Sequence, residues 1–163
     1  MYTDGGAINN PGPAGIGVVI KYKTSHFAEA SRDRFHFAKA SRDRQISKSK
    51  TIHQISRYIG EATNNQAEYR AVIEALSWIK SEIEKRKTTA DIHFFLDSEL
   101  IANQLNLKYK VKNSELQPLF LKVHNLVVSL GNTSTVRFQY IPREQNKEAD
   151  KLVKKAIKEG YGG

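Results

Sequence analysis

The hydrophobic period of this chain changes at about Gln66, and that change restricts the fold more than any other feature. Upstream, residues 15–22 are rich in β-branched side chains and are entered through Pro/Gly turns, while residues 52–59 alternate apolar with polar; both read as strands. From 66 to 87 the spacing is helical: Tyr69, Val72, Ile73, Leu76, Ile79 and Ile83 form one stripe, with Glu82, Glu84, Lys85 and Arg86 outside it. A strand over 92–96 and a short helix over about 98–106 follow. A helix over 114–130 comes next, with Ser114 and Gln117 spaced as a capping box. Residues 135–141 read as a last strand ended by Pro142, and 146–159 as a helix stopped by Gly160. Antiparallel strands first and strand–helix alternation afterwards predict an α/β fold, a mixed sheet with helices on both faces.

A chain of 163 residues, 39% of them hydrophobic, can bury one core, so residues 1–163 are expected to form a single domain. Cysteine is absent, which excludes disulfides and thiolate metal ligands and fits a reducing compartment. No stretch approaches the roughly 18 to 20 apolar residues of a membrane span. Asp4 and the glycines after it start the fold at once, which argues against a cleaved signal. A soluble cytoplasmic monomer is the expectation.

The net charge of +9 is unevenly spread. Between Lys21 and Arg57 ten Lys and Arg face only Glu29, Asp33 and Asp43, so this segment holds +7 of the +9. Within it, residues 26–34 and 36–44 are near-identical copies that differ only in Glu29 against Lys39. Two copies are too few for a solenoid, so residues of about 24–50 read as a duplicated basic insertion between the first two strands. Such a stretch suits a polyanionic partner.

Against this basic background four acids stand at element ends. Asp4 ends a short extended segment, Glu68 opens the long helix, Asp97 ends an apolar strand and Asp150 lies at the start of the last helix. Open α/β sheets place their sites at such ends. Were the four to converge, their repulsion would reach several kcal/mol without compensating divalent cations, which points to a hard metal site.

The residues around these acids resemble a known family. Thr3-Asp4-Gly5-Gly6, followed by Asn9-Asn10-Pro11-Gly12-Pro13-Ala14-Gly15-Ile16-Gly17, is similar to the first motif of type 1 ribonuclease H. Thr63-Asn64-Asn65-Gln66-Ala67-Glu68 resembles its second motif, Leu96-Asp97-Ser98 its third and Asn146-Lys147-Glu148-Ala149-Asp150 its fourth. The resemblance implies a ribonuclease H-like sheet of five strands, three antiparallel and then parallel. It also implies endonucleolytic cleavage of RNA paired to DNA, leaving a 5′-phosphate and a 3′-hydroxyl. Two Mg²⁺ ions about 4 Å apart, or Mn²⁺, would serve the reaction, and hard ions take carboxylate oxygens. On the same basis Asp4 and Asp97 would contact both ions, Glu68 the one on the leaving-group side and Asp150 the one on the nucleophile side.

By the same resemblance Asn10, Asn64 and Asn65 face the minor groove, where amides can donate to and accept from 2′-hydroxyls. Thr63 would hold a phosphate of the DNA strand, and Gly5 and Gly6 would allow close backbone approach. Many relatives carry a His in the loop before the last carboxylate; here that loop reads Ile141-Pro142-Arg143-Glu144-Gln145-Asn146, as in a subgroup with a Pro-Arg-Glu loop. Arg143 cannot act as a base near neutral pH, so its implied role is electrostatic. Glu99 stands where relatives often have a polar amide that contacts RNA. The separate basic helix of some relatives is absent, so Trp78 is expected in the core, and the five histidines in surface or packing roles. Arg32, Arg34, Arg42 and Arg44 with Phe27, Phe35 and Phe37 suit a grip on the substrate. The alternatives are a ribonuclease that also cleaves double-stranded RNA, and a catalytically weak nucleic-acid-binding module.

Overall fold

A computed structural model describes residues 1–23, 49–131 and 134–162. The repeat, and with it the expected grip, lies outside the described residues. The elements in chain order are β1 (Tyr2–Ala7), β2 (Gly12–Lys23), β3 (Ser49–Ala62), α1 (Asn64–Arg86), β4 (Ala90–Leu96), α2 (Glu99–Leu105), α3 (Gln117–Leu130), β5 (Ser134–Tyr140), a 3₁₀ turn at Arg143–Gln145 and α4 (Lys147–Tyr161). Because Tyr2–Ala7 is a strand in its own right, residues 15–22 and 52–59 lie in the second and third strands among the described residues.

The sheet order is β3-β2-β1-β4-β5. β1 pairs antiparallel with β2, and β2 with β3, while β1–β4 and β4–β5 are parallel. Successive side chains of β1 point to opposite faces. A Cβ on Gly5 would strike the α1 backbone at Ala67 and Glu68, whereas one on Gly6 would meet Val153 of α4. Helices α1 and α4 therefore cover opposite faces. The main core lies on the α1 side, where Ile16, Val18 and Ile20 of β2 and Phe94 and Leu96 of β4 meet Tyr69, Val72 and Leu76. Trp78 is packed half-buried against this core, its ring stacked on His53 at 4.5 Å.

Two local expectations differ from what folds. The capping box forms at Thr63 and Gln66, where the Thr63 hydroxyl accepts the Gln66 N–H and the Gln66 side chain accepts the Thr63 N–H. None forms at Ser114: Asn113 Oδ1 takes the Glu115 and Leu116 N–H groups instead, and α3 starts at Gln117 with Pro118 in its first turn. Gly160 does not stop α4, which continues to Tyr161. Its missing side chain serves packing, since a Cβ there would lie 2.2 Å from Tyr58 Cγ on β3.

Candidate active site

The parallel register of β1 and β4 sets Thr3 opposite Leu96, so the next residues emerge side by side, Asp97 just past the end of β4 and Asp4 within β1, which runs on to Ala7 against β2 rather than ending at Asp4 as expected. Glu68 reaches the same place because Gly5 lets β1 lie directly against the Ala67–Glu68 backbone. Oxygens of Asp4, Glu68 and Asp97 all lie within 4.8 Å of one another. Asp150, in the first turn of α4, lines the same cleft but stands outside this tight trio. Its oxygens are held by Lys154 Nζ at 2.6 Å and Arg143 Nη2 at 3.5 Å. The cleft is completed by Gly5, Gly6, Ala7, Ile8, Asn64, Arg143, Val153, Lys154 and Ile157.

Burial dominates the electrostatics. Loss of water, reinforced by the charges of Asp97 and Asp150, pushes Asp4 up to about 7, against partial relief from Arg143. Glu68 is raised well above the ordinary carboxylate range, first by burial and then by Asp4 and Asp97. Its Oε2 is buried without a hydrogen-bond partner. A buried acceptor left unpaired among carboxylates calls for a cation, and an all-oxygen donor set fits a hard one. The nearest protein cation is Arg143, whose Nε lies 3.8 Å from Asp97 Oδ2, although its side chain remains 74% exposed.

Asn10 and Asn64 brace the cleft wall. The Asn64 Oδ1 accepts the Ala7 N–H at 2.7 Å, and Asn10 Oδ1 accepts the Asn64 N–H at 2.8 Å. Both amide oxygens are thus engaged in the fold, so each side chain presents its NH₂ as donor rather than donating and accepting equally. Thr63 caps α1 through its oxygen lone pair, leaving its O–H available. Asn65 is half-buried and makes no side-chain hydrogen bond among the described residues. Glu99 is exposed at the first position of α2, where an acid suits the helix end.

Two contributors escape a reading of the sequence alone. Asn146 is 1% exposed, and its Nδ2 donates to the Thr3 carbonyl at 2.9 Å and to Asp97 Oδ1 at 3.1 Å. The only local signal was its place in the fourth motif, at the expected start of the last helix. Lys154 had a fainter one, its position four residues after Asp150 on the same helix.

Comparison with known proteins places this geometry. The family model described as "Reverse transcriptase-like" matches residues 47–156. The chain resembles LC11-RNase H1, solved in complex with an RNA/DNA hybrid, with 38% identity, coverage of 98% of this chain and 96% of that one, and a TM-score of 0.76. It is 28% identical to Ribonuclease HI of Halobacterium salinarum over 96% of this chain and 62% of the relative. It is also 29% identical to the Bifunctional protein Rv2228c of Mycobacterium tuberculosis, over 94% of this chain but 34% of the relative. The chain thus spans about a third of the length of the mycobacterial relatives it matches. With sheet order, helix placement and sequence in agreement over nearly all of its length, the chain belongs to the type 1 ribonuclease H family.

Proposed function

We propose that this protein hydrolyses the RNA strand of RNA–DNA hybrids endonucleolytically, with Asp4, Glu68, Asp97 and Asp150 holding two Mg²⁺ or Mn²⁺ ions. The observation that carries this reading is the trio of Asp4, Glu68 and Asp97 oxygens within 4.8 Å, with Glu68 Oε2 unpaired. When bound, the ions supply activation of the attacking water and charge relief at the departing 3′-oxygen, giving a 5′-phosphate and a 3′-hydroxyl. The hybrid-bound LC11-RNase H1 supports the choice of substrate.

The chain's own residues do the positioning. Asn10 and Asn64 direct amide N–H donors toward 2′-hydroxyl oxygens, and Asn65 extends this reading along the minor groove. Thr63 donates its O–H to a phosphate of the DNA strand at the amino end of α1, where the helix dipole favours an anion. Gly5 and Gly6 keep the strand wall of the cleft low enough for the RNA backbone. Arg143 lies between Asp97 and Asp150 and answers negative charge on the substrate or product phosphate.

Matched hybrid, RNA duplex and DNA duplex assayed with Mg²⁺ test the reading, alongside Asp97→Asn. Cleavage confined to the hybrid, lost by at least about a thousandfold in the variant, is expected. Equal cleavage of the RNA duplex would broaden the activity. Undiminished cleavage by Asp97→Asn would remove the metal site from the mechanism.

A further inference from the structure

The water-facing side of α4 is divided by sign of charge. At about 100° per residue, Lys147, Lys151, Lys154, Lys158 and Tyr161 fall in a sector of roughly 80°, on the flank that also carries Asp150. The acids Glu148 and Glu159 lie on the other flank. There Glu148 holds Lys21 at 2.6 Å and Glu159 holds Lys155 at 3.9 Å. Of the lysine ridge, Lys154 is paired with Asp150, whereas Lys147, Lys151 and Lys158 have no carboxylate partner among the described residues. Unpaired lysines in a row lower stability through mutual repulsion unless an anion joins them.

The ridge is continuous with the catalytic cleft. Val153 and Ile157 line that cleft with Lys154, and Lys154 also borders an adjoining concavity formed with Lys155, Lys158, Glu159 and Gly162. α4 is held flush against the sheet: a Cβ on Gly15 would lie 3.0 Å from Ala156 and Ile157, and one on Gly17 would lie 2.2 Å from the Ala149 carbonyl oxygen. The lysines are thus presented on a rigid support. From Asp150 to Tyr161 the helix advances about 16 Å. That matches roughly five nucleotide steps of one strand at about 3.4 Å each. Tyr161 at the far end is 64% exposed and offers a ring for stacking.

We propose that this ridge of α4 tracks the sugar–phosphate backbone of the bound hybrid away from the cleaved bond, as a second contact beyond the cleft. The assignment rests on the proposed hybrid substrate. It places a substrate contact on lysines of the sheet–helix body.

The test measures binding of a fluorescein-labelled hybrid by anisotropy in Asp97→Asn protein with Mg²⁺, from roughly 50 to 300 mM salt. Replacing Lys147, Lys151 and Lys158 together by Gln is expected to lower the slope of log affinity against log salt by about two to three. In otherwise unaltered protein the same changes should raise KM about tenfold and leave kcat within about threefold. A charge-matched control, Lys80, Lys85 and Lys122 to Gln, removes lysines remote from the cleft and should leave the slope in place. Equal slopes for the ridge variant and the unaltered ridge, or equal losses in both triple variants, would overturn the proposal. If the unaltered chain cleaves no hybrid at all, the substrate reading itself fails, and the two failures are distinguishable.

Discussion

Asn146 donates an Nδ2–H to Asp97 Oδ1 at 3.1 Å, from a side chain that is almost wholly buried. The same amide holds the Thr3 carbonyl, so one residue ties the start of α4 to β1 and to the end of β4. Asn146→Ala leaves two acceptors unpaired in the interior, and a loss of about 2 kcal/mol is expected in urea unfolding. A fall in kcat larger than the fall in stability at the assay temperature should accompany it, since Asp97 loses its orienting donor. Unchanged kcat would limit Asn146 to a structural role.

The raised carboxyl pKa values have a definite consequence for the metal-free protein. Asp4 holds its proton up to about 7 in the folded state but releases it near 3.8 when unfolded. Between those pH values the folded form binds more protons, so stability falls as pH rises through the window and levels off above it. Glu68 acts in the same direction. The melting temperature in EDTA is therefore expected to be lower at pH 8 than at pH 5, by an amount reflecting a few kcal/mol. Adding Mg²⁺ should recover more of it at pH 8, where protons compete less for Asp4. A flat profile in EDTA would show that the acids are better solvated than their burial indicates.

Arg143 is one of two cations, with Lys154, that line the cleft and with which a bound metal ion would share it. Its guanidinium lies 3.5 Å from Asp150 and 3.8 Å from Asp97, mostly in solvent. Exposed pairs contribute under about 1 kcal/mol, so Arg143→Gln should tighten Mg²⁺ binding only a few-fold in titration calorimetry while lowering metal-free stability slightly. Turnover should fall nonetheless if the side chain answers phosphate charge. Weaker Mg²⁺ binding in the variant would contradict the competition.

Gly5 and Gly6 predict a contrast between neighbours. A methyl group at Gly5 would lie 2.2 Å from the Ala67 carbonyl carbon, whereas one at Gly6 would lie 3.3 Å from a Val153 methyl. The first clash is with helix backbone and can be relieved only by parting β1 from α1, which would separate Asp4 from Glu68. Gly5→Ala should cost at least about 3 kcal/mol and abolish activity, and Gly6→Ala no more than about 1.5 kcal/mol. Chemical denaturation of the two variants side by side decides it, and equal costs would refute the packing argument.

Part of the candidate site could be read before any fold was known, because Asp97 follows the last apolar residue of β4 and Asp150 lies in the first turn of α4. Asp4 lies inside β1 and Glu68 is the fifth residue of α1, so local periodicity places these two less closely. Ser114 misled because a capping box is a local possibility that Asn113, one residue earlier, satisfies more directly. Gly160 misled for the opposite reason: its cause is Tyr58, about a hundred residues away in sequence.

The sequence by itself determined the family, most of the order of strands and helices, and which four acids to propose as the site, since these depend on residue type and short-range spacing. Tertiary structure alone decided how those acids divide. Asp4, Glu68 and Asp97 form the close trio because parallel pairing of β1 with β4 and the contact of Gly5 with α1 converge there. Asp150 is drawn toward Lys154 and Arg143. The polarity of Asn10 and Asn64, the buried hold of Asn146 and the lysine ridge beside the cleft were likewise set by packing. Such relations arise between residues far apart in the chain, where no local pattern records which groups will meet.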